Sequence, residues 1–122
     1  MTEALARKRC VPCEEGTSPL SRAQAQGYLL EVPGWALSED VKWISREWKF
    51  KDFQEAIAFV NRVAALAEQE NHHPDISLFS YRKVSLSLST HAIGALSEND
   101  FILAAKVSAL AQRSSLKGEW VT

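Results

Sequence analysis

The chain has 122 residues, 46% of them apolar and 24% charged, with a formal net charge of -1, a balance that fits one globular domain with its own core. It lacks the basic excess of a nucleic-acid binder, so no direct nucleic-acid partner is expected. No apolar run approaches bilayer length and the first twenty residues hold no apolar signal-peptide core, so no membrane partner is expected and a cytoplasmic or organelle-soluble setting is the default.

Residues 1–19 mix Arg7, Lys8, Arg9, two prolines and Gly16 without a hydrophobic period. They are expected to form an arm that lies against the domain or is partly flexible, with the domain proper over residues 20–122. Cys10 and Cys13 fall in this arm as a lone Cys-Val-Pro-Cys. A structural zinc site takes four ligands and no second cysteine pair exists, while a redox dithiol more typically opens a helix after a strand; neither role is expected here.

Ser21 with Gln24 three residues on marks a helix start after Pro19, and Val32-Pro33-Gly34 stops that helix after about Leu30. Trp35-Ala36-Leu37 reads as a short strand and Ser38-Glu39-Asp40 as a hairpin turn. From Val41 to Phe50 apolar and polar residues alternate as in a half-buried strand, with Ile44, Trp48 and Phe50 sharing a face with Arg46. Asp52 and Glu55 repeat the helix-start signature, and Ala56, Ile57, Val60, Val63, Ala64 and Ala67 follow the helical period. Phe59 and Leu66 lie off that stripe, an apolar surplus that points to a partner subunit.

Pro74 disfavours a helical conformation at His73, so this helix ends between Glu70 and His72, with Asn71 a plausible left-handed terminator. Strands are expected over Ile76–Ser80 and Lys83–Thr90. In the second, Val84, Leu86 and Leu88 point one way and Ser85, Ser87, Ser89 and His91 the other. Ser97 with Asp100 marks a last helix start, with the helix over Phe101–Gln112. The order α-β-β-α-β-β-α predicts an α+β fold, a four-stranded antiparallel sheet with three helices on one face.

All three histidines, His72, His73 and His91, lie between this helix end and strand end. Imidazole titrates at roughly pH 6.5, so the cluster fits a proton-handling pocket, although surface and capping positions explain single histidines equally well. Glu68 and His72 are four apart and share a helix face if the last turn holds. Asp100 is explained by capping alone. Metal binding ranks low, because the adjacent histidines diverge and no familiar zinc spacing is present.

The combined spacing carries more. Glu68, then His72-His73-Pro74, Tyr81, His91 and Asp100, together with Leu88-Ser89-Thr90-His91, Gly94-Ala95-Leu96-Ser97 and the Pro-Gly-Trp at Trp35, closely resemble the pterin-4a-carbinolamine dehydratase family over roughly Ser21 to Gln112. Asn71 departs from members that carry an acid there. The resemblance implies removal of water from 4a-hydroxytetrahydropterin to give quinonoid dihydropterin, with no metal or redox cofactor. It also implies His72 and His91 as acid and base, His73 nearby for binding or proton transfer, and Glu68 holding His72. Trp35 would pack on the flat pterin, and Asp100 would orient His91 or the pocket edge. The family also contains a dimerisation cofactor of a homeodomain transcription factor and relatives linked to molybdopterin metabolism, so a binding role is the alternative.

Overall fold

The computed structural model describes residues 5–10 and 19–115. Helix α1 (Arg22–Leu29), strands β1 (Ala36–Leu37) and β2 (Ile44–Lys49), helix α2 (Phe53–Glu70), strands β3 (Asp75–Phe79) and β4 (Lys83–Leu88) and helix α3 (Glu98–Ser115) follow in that order, as expected from sequence. The sheet is antiparallel with strand order β1-β2-β4-β3. Its backbone is the β2–β4 pairing from Ile44 opposite Leu88 to Lys49 opposite Lys83, so the two hairpins are joined through their second strands. No described helix is long and apolar enough to cross a membrane.

The caps form as the sequence signals require. Ser21 and Gln24 make a reciprocal capping box on α1, and the Asp52 carboxylate accepts the Glu55 N–H at 2.9 Å on α2. Alternation in β2 and β4 buries Ile44, Trp48, Val84, Leu86 and Leu88. On α2 the buried residues are Ala56, Phe59, Val63, Ala67 and Glu70. Phe59, which lay off the expected stripe, thus belongs to the core. It packs on Trp48 and Phe50 with ring centroids 5.0 Å apart in both cases. Ile57 turns outward instead, 38% exposed beside the half-exposed Phe53. The stripe is rotated because the large Phe59 ring fills more of the volume under the aromatic strand β2 than Ile57 can.

Arg46 lies on the core side of β2 with its guanidinium 5.0 Å from the Trp48 ring centroid, and its Nη1 donates to the Pro33 carbonyl at 3.1 Å. A Cβ on Gly34 would sit 2.8 Å from Arg46 Cζ, and φ at Gly34 is +95°. The positive φ is what calls for glycine in the Pro-Gly-Trp turn, and a side chain there would also push the Arg46 guanidinium aside.

The described part of the arm, residues 5–10, packs on the domain. Leu5 is buried in the core cluster. The Cys10 N–H donates to Glu70 Oε1 at 2.9 Å and its thiol to the Asn99 carbonyl at 3.5 Å. Burial, then the Glu70 charge, pushes the Cys10 thiol up to about 12, so at neutral pH it is protonated and a poor nucleophile. Cys13 lies outside the described residues. Burial also pushes the Glu70 carboxyl up, but the Cys10 N–H, Lys106 and Arg9 outweigh it and hold the group below its ordinary 4.5.

Two outcomes follow for stability. Urea unfolding should show Phe59→Ala losing about 3–5 kcal/mol and Ile57→Ala about 1 kcal/mol or less. A carboxyl with a depressed folded pKa stabilises above its unfolded pKa and loses that contribution as pH falls through the folded value. Wild type should therefore exceed Glu70→Gln in stability at neutral pH, with the gap closing below about pH 4.5; a gap that persists in acid would show that the ionised carboxylate is not its source.

Candidate active site

The end of α2 sets the site. Asn71 adopts the left-handed conformation, φ 52° and ψ 42°, as its sequence position suggested. Its N–H donates to the Glu68 carbonyl at 3.3 Å while the His72 N–H donates to the Ala67 carbonyl at 3.1 Å, the pair of bonds that defines a Schellman ending. The reversal at Asn71 takes His72 off the helix face that Glu68 occupies, and Pro74 keeps the chain extended beyond it.

The two adjacent imidazoles consequently find partners other than those the helical spacing implied. His72 swings inward, and its Nε2 lies 2.6 Å from Asp100 Oδ1. His73 swings outward, and its Nε2 lies 2.5 Å from Glu68 Oε2. Glu68 thus holds His73 rather than His72, and Asp100 holds His72 rather than His91. The His73–Glu68 pair is exposed, whereas Asp100 is fully buried and the His72 side chain is 11% exposed.

Asp100 is the centre of a buried polar knot. Its Oδ2 accepts from Thr90 Oγ1 at 2.8 Å and from the Ser97 N–H at 3.0 Å, and Thr90 Oγ1 is 2.7 Å from Ser97 Oγ. Asp100 therefore caps α3 as expected while its second oxygen serves His72. An ionised carboxylate only accepts hydrogen bonds, so it selects the His72 form with a proton on Nε2 and leaves Nδ1 as the basic nitrogen.

His91 is exposed and adjoins the same knot through Thr90. Thr90 and Ala95 bridge across the tight turn that carries His91, with Gly94 at φ +61°. The His91 ring meets Trp43 edge to face, centroids 6.5 Å apart. Trp43 enters β2 from a loop stitched by Ser38 and Asp40: Ser38 Oγ accepts the Lys42 and Trp43 N–H groups at 3.2 and 3.0 Å. His72 thus reaches the Asp100–Thr90 pair by a hydrogen bond, while His91 follows Thr90 in the chain and its ring meets Trp43.

Trp35 is not brought to them. It is 5% exposed, packed edge-on to Trp48 at 5.6 Å, and its indole N–H donates to Ser108 Oγ at 3.0 Å. Ser108 is eight residues beyond Asp100, about 12 Å along α3, so Trp35 is a core residue within one subunit, and Trp43 is the aromatic beside His91. Sequence reasoning missed Trp43 and Thr90. A signal existed for Thr90, which continues the inward phase of Val84, Leu86 and Leu88; a hydroxyl at a core phase requires a buried partner. Among the described residues no group of three or more His, Cys, Asp or Glu side chains is placed to hold a metal ion.

Comparison with known proteins finds relatives over most of the chain. A relative from Halorhodospira halophila, provisionally named pterin-4-alpha-carbinolamine dehydratase, is 50% identical over 107 residues, covering 88% of this chain and 97% of its own. The crystal structure of a transcriptional coactivator/pterin dehydratase from Brucella melitensis superposes with a TM-score of 0.72 at 32% identity, over 77% of this chain and 99% of that one. A pterin dehydratase-like protein described as a RuBisCO assembly factor in the alpha-carboxysome superposes with a TM-score of 0.56 at 28% identity, over 64% of this chain and 89% of that one. The family model for pterin 4 alpha carbinolamine dehydratase matches residues 18–110, and the chain belongs to that family.

Proposed function

We propose that the protein is a hydro-lyase that dehydrates a pterin-4a-carbinolamine, with His72 and His91 as its acid and base. Family membership supports the reaction class. The observation that supports the residue assignment is the 2.6 Å contact of His72 Nε2 with the buried Asp100, whose other oxygen accepts from Thr90, the residue before His91.

The chemistry asks for two proton movements. Hydroxide is a poor leaving group, so the C4a oxygen takes a proton as the C4a–O bond breaks and water departs. The N5 proton is lost as the C4a–N5 double bond forms. His72, through Nδ1, and the exposed His91 supply one donor and one acceptor, without metal or redox cofactor, and such assistance is worth about 10² to 10⁴-fold. His73, paired with Glu68 at the surface, serves binding or proton transfer. Trp43 offers the flat heterocycle an aromatic neighbour next to His91.

A protein-binding role is the second reading. Phe53, Gln54, Ile57, Ala58 and Asn61 line an open apolar groove on α2, on the side of that helix turned away from the core. We assign this groove first to contact between copies of the chain, as a homodimer or homotetramer.

Stopped-flow measurement with freshly generated 4a-hydroxytetrahydropterin should show His72→Ala and His91→Ala each slower than wild type by at least about tenfold, after subtraction of the spontaneous rate. Asp100→Asn keeps oxygen toward Ser97 and Thr90 but presents N–H to His72; it should lose about 10²-fold with the fold retained, because it selects the opposite tautomer. Wild-type rates in the double histidine variant would refute the assignment. Light scattering of Phe53→Asp should show a smaller species than wild type if the groove joins copies, and an unchanged mass would remove that role.

A further inference from the structure

The arm grips the residues that precede each partner of the His72–Asp100 pair. Glu70, the last residue of α2 and two before His72, has a side chain only 2% exposed. A buried carboxylate at a helix C-terminus is disfavoured twice, by lost hydration and by the negative end of the helix dipole. It is held there by the Cys10 N–H at 2.9 Å, by Arg9 Nε at 3.3 Å and by Lys106 Nζ at 3.7 Å. Asn99, one residue before Asp100, accepts the Cys10 thiol through its carbonyl at 3.5 Å. Lys8 Nζ meets Glu98 Oε2 at 2.6 Å, and Lys106 Nζ donates to the Ala6 carbonyl at 2.7 Å. Leu5, 2% exposed, pins the start of the segment in the core.

We propose that residues 5–10 are a positioning clasp for the candidate active site, locking the end of α2 to the first turn of α3 and so fixing the distance between His72 and Asp100. The proposal rests on the dehydratase reading and adds to it a set of positioning residues, with Glu70 as the hub. The arm's contacts stabilise the ionised Glu70, yet an apolar residue at position 70 would serve burial at the end of α2 as well or better. The convergence is explained if the arm sets geometry, since a displacement of about 1 Å between reacting groups costs as much as about 10²-fold in rate.

The test uses the full-length chain with Leu5→Asp, which ejects the anchor, and Leu5→Met, which keeps it. Faster tryptic cleavage after Arg7, Lys8 and Arg9 reports release of the arm. Leu5→Asp should lower kcat by about tenfold or more with KM within about twofold, as expected when bound geometry rather than affinity is lost. The ring ¹⁵N shifts of His72 should move while those of His91 hold, and Leu5→Met should match wild type. If Leu5→Asp fails to fold, Glu70→Gln, which keeps the acceptor oxygen and removes the charge, should give the same kcat loss and His72 shift. A released arm with wild-type kcat and wild-type His72 shifts, or a folded Glu70→Gln with both unchanged, would overturn the clasp. Should the wild-type protein not accelerate dehydration at all, the enzymatic reading falls, and the His72 shifts alone still decide whether the arm sets this pair.

Discussion

The Asp100 carboxylate is the constraint on which the rest of this structure turns. A fully buried anion is tolerable only when its lone pairs are met by donors, and here the donors come from separate elements: the Ser97 N–H at the start of α3, the Thr90 hydroxyl beyond β4, and His72 beyond α2. Satisfying one carboxylate therefore draws three chain segments to a point. The demand is mutual, because Thr90 and His72 are themselves largely withdrawn from water and each finds a partner in it.

Helix termination supplies the second constraint. One left-handed residue, Asn71, followed by the Pro74 restriction, separates two neighbouring imidazoles into different dielectric settings. His72 works against a buried anion, where electrostatic interaction is strong, and His73 against an exposed one, where water weakens it. A single sequence pair thereby provides one rigid imidazole and one adaptable imidazole, a division that suits a reaction needing both a fixed proton-transfer group and contact with solvent.

Helix α2 also separates two surfaces. Its inward residues Ala56, Phe59, Val63 and Ala67 pack in the core, its last turn feeds the histidines, and its outward residues Phe53 and Ile57 leave an apolar strip on the other side. Relatives described as a coactivator/dehydratase and as an assembly factor share the fold. In this chain the apolar strip on α2 faces away from the core, apart from the helix end that carries the histidines.

Much of this was legible in sequence because it depends on local chemistry. Caps at Ser21, Asp52 and Asp100, the breakers at Pro33 and Pro74, the left-handed Asn71 and the period-two run from Val84 to Leu88 each act over a few residues, so they specified the element order and the histidine-bearing helix end. The resemblance in spacing picked out the histidines and both acids. What only tertiary structure decided was which side chains meet: Asp100 with His72, Glu68 with His73, Trp43 rather than Trp35 beside His91, Phe59 rather than Ile57 in the core, and Glu70 under the arm. Those pairings join residues distant in sequence, or turn on how far a helix rotates to bury its largest ring, and packing volume and the need to satisfy buried charge settle them where residue spacing cannot.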